Sequence, residues 1–133
     1  MTLVDTNVLI DILTSDATWE PWSSATLQQR SGYGPLLINE IVYAELAGRY
    51  ATQQALDHIV ESLELQFEWL PRSALHLAGQ TFTHYRRSGG TRSSILADFF
   101  IGAHAAVMQL PIITRDTKRY RAHFPDIELI APN

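Results

Sequence analysis

The chain of 133 residues has no cysteine. That excludes disulfides, thiolate metal sites and thiol nucleophiles, and it fits a reducing compartment. No apolar run approaches the roughly 18 residues of a membrane span. No basic stretch leads into a long apolar one at the N-terminus, so a signal peptide is not expected and the cytoplasm is the expected location. There is no P-loop and no G-x-G-x-x-G, so nothing supports a nucleotide cofactor. The histidines, His58, His76, His84, His104 and His123, lack metal-ligand spacing. His104, six residues past Asp98 on a helix, points to a different face and reads as a packed or rim residue.

Positive charge is also scarce, with ten Lys and Arg against fourteen acids and a net charge of −4. Its distribution matters more than its amount. Seven cations and only two acids fall between Arg86 and Arg121, a local charge of +5; three cations and twelve acids make up the other −9. Such asymmetry is that of a polyanion-binding face on an acidic protein, or simply of solvated helix faces.

What is present is an alternation of short apolar runs and helical patterns, with no internal repeat or linker, read as a single domain over 1–133. Strand Thr2–Val4 leads into a helix from about Thr6 to Leu13. Residues Asp16 to Thr18 can cap a helix running to about Gln29, and "PLLI" reads as a buried strand. Asn39 caps "EIVYAELAGRY", and a further helix runs roughly from Thr52 to Glu64. "QFEWL" is a short strand, Ser73 to about Arg87 a helix ended by "SGG", and Ser93 or Ser94 opens the nearly all-apolar helix "ILADFFIGAHAAVMQ". "IIT", a turn or helix over 118–123, and "IELI" close the pattern. Short apolar strands separated by helices predict an α/β fold, a three-layer sandwich with a central parallel sheet of about five strands covered by helices.

In such a sheet, ligands bind beyond the carboxyl ends of the strands. Asp5 and Asp116 both follow apolar runs there, so neighbouring strands would bring them together; each could equally be a helix cap. Asp98 is the only acid in its apolar helix, and Ser94, Ile95, Ile101 and Gly102, three and four positions away, offer it no counter-charge. A buried carboxylate without a partner is costly unless it binds a cation; the alternative is a first-turn acid favoured by the helix dipole. The small Gly102 and Ala105 beside it leave room for backbone, metal or substrate. Glu45 borders the apolar stripe of its helix, with an exposed ion pair to Arg49 as the alternative. Glu40 reads more simply as a first-turn acid. Four carboxylates with no convergent His or Cys suit a hard cation, Mg²⁺ or Mn²⁺, and hence phosphodiester hydrolysis. Arg92, Arg115, Lys118 and Arg119 flank Asp98 and Asp116 and are candidate contacts to an RNA backbone.

Taken in order, "VDTNVLID", "INEIVYAEL", "LADFFIGAHA" and "ITRDTKRY" resemble the PIN-domain ribonucleases, and in particular the VapC-type toxins of bacterial toxin–antitoxin systems. The resemblance covers essentially the whole chain. It implies a metal-dependent endoribonuclease whose acidic quartet is Asp5, Glu45, Asp98 and Asp116, with Mg²⁺ or Mn²⁺ as cofactor. It gives Asn7 and Thr114 the supporting role of holding carboxylates by hydrogen bonds. It further implies an RNA substrate such as a tRNA, a homodimer, and a small antitoxin that blocks the site. Two other readings stand beside it. A phosphatase using Asp5 as nucleophile would want a second acid where Asn7 stands. A catalytically inactive PIN-like module would bind RNA or protein without cutting. Trp19, Trp22 and Trp69 read as core residues.

Overall fold

A computed structural model places all of residues 1–133. The element order is β1 (Thr2–Val4), α1 (Thr6–Leu13), α2 (Glu20–Ser31), β2 (Leu36–Ile38), α3 (Glu40–Ala47), α4 (Gln53–Ser62), β3 (Leu65–Phe67), α5 (Arg72–Arg87), α6 (Ile95–Met108), β4 (Ile112–Ile113), α7 (Lys118–Arg121) and β5 (Leu129–Ile130). The five strands form one sheet in the order β3-β2-β1-β4-β5. Every pairing is parallel. Seven helices flank the sheet, as the alternation of patterns predicts for an α/β sandwich. No helix is long and apolar enough to cross a membrane.

Strand chemistry explains the centre. β1, β2 and β4 are short runs of Leu, Ile and Val, with Thr2 at the start of β1, and all are buried. Side chains buried on both faces are what a helix-covered parallel sheet requires. Local signals set several helix starts. The Asn39 side chain accepts from the N–H groups of Ile41 and Val42, and the Thr52 hydroxyl accepts from Ala55 N–H. Asp16, by contrast, caps only a turn through Thr18 and Trp19, and α2 begins later, at Glu20 with Pro21 beside it.

A second apolar cluster joins α5 to α6, built on Leu70, Ala74, Ala78, Ile95, Phe99, Ala103 and Phe124. The room that the small residues of α6 suggest beside Asp98 is not open. A Cβ on Gly102 would lie 2.5 Å from the Phe124 ring, so this glycine is where an aromatic ring meets the helix backbone. His104 is fully buried, and its Nδ1 lies 3.1 Å from Asn39 Nδ2. Because the Asn39 oxygen is committed to the cap, its amide must donate, which leaves the His104 proton on Nε2. Trp69 departs from the expected core role: it is 70% exposed at the β3 edge, against Phe67.

The topology places one position apart from the rest. From β1 the chain fills one side of the sheet with β2 and β3, then crosses to fill the other with β4 and β5. The crevice beyond β1 and β4 is therefore the switch point at which open α/β sheets bind ligands.

Candidate functional site

Asp5 leaves β1 into this crevice as the N-cap of α1 and is 1% exposed. Its Oδ1 accepts from Thr6 N–H at 2.8 Å. Its Oδ2 accepts from the Thr114 hydroxyl at 2.8 Å and the Tyr120 hydroxyl at 2.8 Å, with Asn7 Nδ2 at 3.5 Å. The carboxylate is thus held in one orientation by donors from α1, the end of β4 and α7. Asn7 also contacts Thr114 Oγ1 at 3.4 Å and accepts from Arg115 N–H at 3.3 Å. It stitches the two loop starts together.

The register corrects one expectation. β4 ends at Ile113, and Asp5 N–H donates to the Ile113 carbonyl, so Thr114, not Asp116, stands beside Asp5. Asp116 lies two residues further along, its N–H donating to Thr114 Oγ1 at 3.0 Å. The cation in contact with Asp116 belongs to the chain. Arg119 Nε donates to Asp116 Oδ2 at 3.0 Å, and Arg119 Nη1 lies 3.4 Å from Asp98 Oδ1.

Asp98 stands on the first turn of α6 and is 7% exposed. Burial pushes its carboxyl up to about 6; Arg119 pulls against that, while the charges of Asp5 and Glu45 add to it. Glu45, on the exposed side of α3, has no ion pair to Arg49; its Oε1 accepts from the Thr6 hydroxyl at 2.8 Å. Glu40 is turned elsewhere and accepts from Leu70 N–H at 2.7 Å, tying α3 to the loop before α5.

Asp5 and Glu45 are therefore near enough for their charges to act on Asp98, and Asp116 is linked to Asp98 through Arg119. No three His, Asp or Glu side chains stand together as a ready-made cation cage. Arg119 holds Asp98 and Asp116, and Thr6 holds Glu45.

Among the basic candidates, Arg92 and Lys118 are exposed and Arg119 is half-buried. Arg115 is committed elsewhere. Its Nε and Nη2 make a two-pronged pair with buried Asp11 at 2.6 and 3.0 Å, Ser23 Oγ donates to the same carboxylate, and the guanidinium stacks over Trp19. It is a strut between the β4–α7 loop and the α1–α2 pair rather than a free phosphate contact.

Three participants escape a reading of the sequence. Tyr120 is fully buried, and burial, with the Asp5 charge second, raises its hydroxyl well above the usual range, so it stays a donor. Thr6 reads only as the first residue of α1. Asp11 follows an apolar run and looks like a solvated helix acid. Nothing local marks Tyr120, whose partner is 115 positions away.

The model of the PIN domain family matches residues 2–125, and the chain belongs to that family. Its fold recurs in solved structures at low sequence identity. VapBC2 from Rickettsia felis bound to a DNA fragment from its promoter is 16% identical, with a TM-score of 0.74 over 99% of this chain and 98% of that one. VapBC-1 from nontypeable Haemophilus influenzae is 18% identical, with a TM-score of 0.72 over 98% and 96%. A toxin–antitoxin complex from Klebsiella pneumoniae is 22% identical, with a TM-score of 0.66 over 100% and 98%. A search of curated protein sequences found no match.

Proposed function

We propose that this PIN domain is the toxin of a toxin–antitoxin pair and acts as a metal-dependent endoribonuclease. The observation that carries the reading is the buried Asp98 carboxyl at the sheet's switch point, raised by burial and by the charges of Asp5 and Glu45 although Arg119 and Arg92 pull against them. The donor set is oxygen only, which suits Mg²⁺ or Mn²⁺. Asp5 and Asp98 would hold such an ion, with Glu45 and Asp116 completing the set. When bound, the ion supplies an activated water and stabilises charge that develops on the phosphate.

The chain's own groups have separable tasks in this reading. Thr114, Tyr120 and Asn7 fix the Asp5 carboxylate, in the way that supporting hydrogen bonds orient metal ligands. Thr6 fixes Glu45. Arg92, Lys118 and Arg119 face the incoming RNA backbone, and their contacts give affinity without sequence preference. Arg115 holds the β4–α7 loop, which carries Asp116 and leads into Arg119 on α7. The antitoxin partner is supported by neighbours that are themselves toxin–antitoxin complexes. A homodimer and a cytoplasmic location belong to the same reading.

The test uses antitoxin-free protein and total cellular RNA, with Mn²⁺ or with EDTA. Wild type cuts at discrete positions only with metal, and Asp98→Asn lowers the rate about a hundredfold or more. RNA binding without cleavage by wild type would instead establish an inactive binding module. Equal cleavage by Asp98→Asn would remove Asp98 from the site.

A further inference from the structure

We propose that Arg119 is a built-in counter-cation of the acid cluster, one that a divalent ion must displace from Asp98 and that then turns to the RNA phosphate. The inference rests on the reading of the acids as a metal site and deepens it.

Three ion pairs occur in the molecule, and the only cation in them that touches the acid cluster is Arg119, which touches two of its members. Its guanidinium bridges two elements: Asp98 on α6 and Asp116 in the β4–α7 loop. A guanidinium does not lose its charge, so it cannot step aside by deprotonating. A divalent ion on Asp98 and Asp5 would stand beside a fixed positive charge, and the two cations would repel at short range.

The two contacts are unequal. The Asp116 bond, through Nε at 3.0 Å, connects neighbours three residues apart, from the loop before α7 to its first turn. The Asp98 contact, through Nη1, is longer at 3.4 Å and runs between elements. The arginine can release Asp98 while it keeps Asp116. The side chain is 38% exposed, so the freed edge has solvent to turn into. Arg119 then has two posts: on Asp98 while the acids lack metal, and on phosphate once they have it. It is a positioning residue for the metal and a contact for the substrate.

The test is Mn²⁺ binding by calorimetry to metal-free, antitoxin-free protein, comparing wild type, Arg119→Gln and Arg119→Lys. Arg119→Gln binds Mn²⁺ about tenfold more tightly than wild type, since an opposing charge is gone. Arg119→Lys, which keeps the charge but cannot grip both acids, falls between them. In wild type, Mg²⁺ shifts the Arg119 Nη1–H resonance that faces Asp98, assigned by through-bond correlation within the wild-type side chain and so independent of how well either variant folds. Mn²⁺ bound by wild type but no more tightly by Arg119→Gln, or an Nη1–H signal indifferent to Mg²⁺, overturns the inference and leaves the metal site standing. No Mn²⁺ bound by any of the three proteins removes the metal site and the inference together.

Discussion

Asp98 and His104 sit six residues apart on one helix and respond to acid in opposite ways. Burial raises the Asp98 carboxyl from 3.8 to about 6 in the folded chain, so the folded state holds the proton more tightly than the unfolded one. Its penalty is felt above about pH 6 and fades as the pH falls towards 4. His104 is lowered from 6.5 by burial, so the unfolded state holds that proton more tightly, and stability is lost as pH falls below about 6.5. In the metal-free protein the two partly cancel. Asp98→Asn therefore raises metal-free stability by about 2–3 kcal/mol at about pH 8. The gain shrinks towards about pH 4, while the variant's own stability now falls steadily on acidification. Denaturant melts of both proteins across that range check it. A gain that does not depend on pH would mean that Asp98 is not the strained carboxyl.

At the scale of elements, the two arginines after β4 do different work. Arg115 pins the β4–α7 loop to α1 and α2 through Asp11, which is 2% exposed against 27% for the arginine side chain. Losing the exposed partner strands the buried charge, whereas losing the buried one leaves a guanidinium that can rehydrate. Arg115→Ala should cost about 3–5 kcal/mol, and Asp11→Ala measurably less, in chemical denaturation. Equal losses would show that packing of the arginine stem, and not the stranded charge, sets the cost. Elements were legible in the sequence where a local signal exists. Asn39 and Thr52 mark the starts of α3 and α4, and the apolar runs mark β1, β2 and β4. What was not legible depends on pairing at a distance. That β4 stops at Ile113 and hands Thr114 to Asp5 follows from its register with β1. That Gly102 receives Phe124 and Trp69 lies at an edge follows from packing, which the sequence pattern alone does not set. Asp5 and Asp98 stand out in the sequence because they are acids beside apolar runs; Tyr120 does not, because a tyrosine in an apolar core is ordinary.

Across the whole molecule, the candidate site gathers like charges that packing forces together. An ion that binds only the folded form adds stability by mass action. At a hundred times its dissociation constant, Mg²⁺ or Mn²⁺ should stabilise wild type by about 2.7 kcal/mol, a rise in Tm of several degrees for a chain of this size. Asp98→Asn should lose most of that rise. Thermal melts of metal-free protein, with and without each ion, check it, and a Tm that ignores both ions in wild type would argue against a metal site of useful affinity.

The Asp5 shell has one more consequence, which concerns how the protein is made. Asp5 leaves the ribosome well before its hydroxyl donors, Thr114 and Tyr120, which are 109 and 115 positions later. Arg119, with its grip on Asp98 and Asp116, arrives in the same late stretch. Until α7 has emerged and docked, the nascent chain has its acids but not the groups that aim them. The crevice is therefore complete only once α7 has been made, and a product that stops short of α7 holds the Asp5 carboxylate in no fixed orientation.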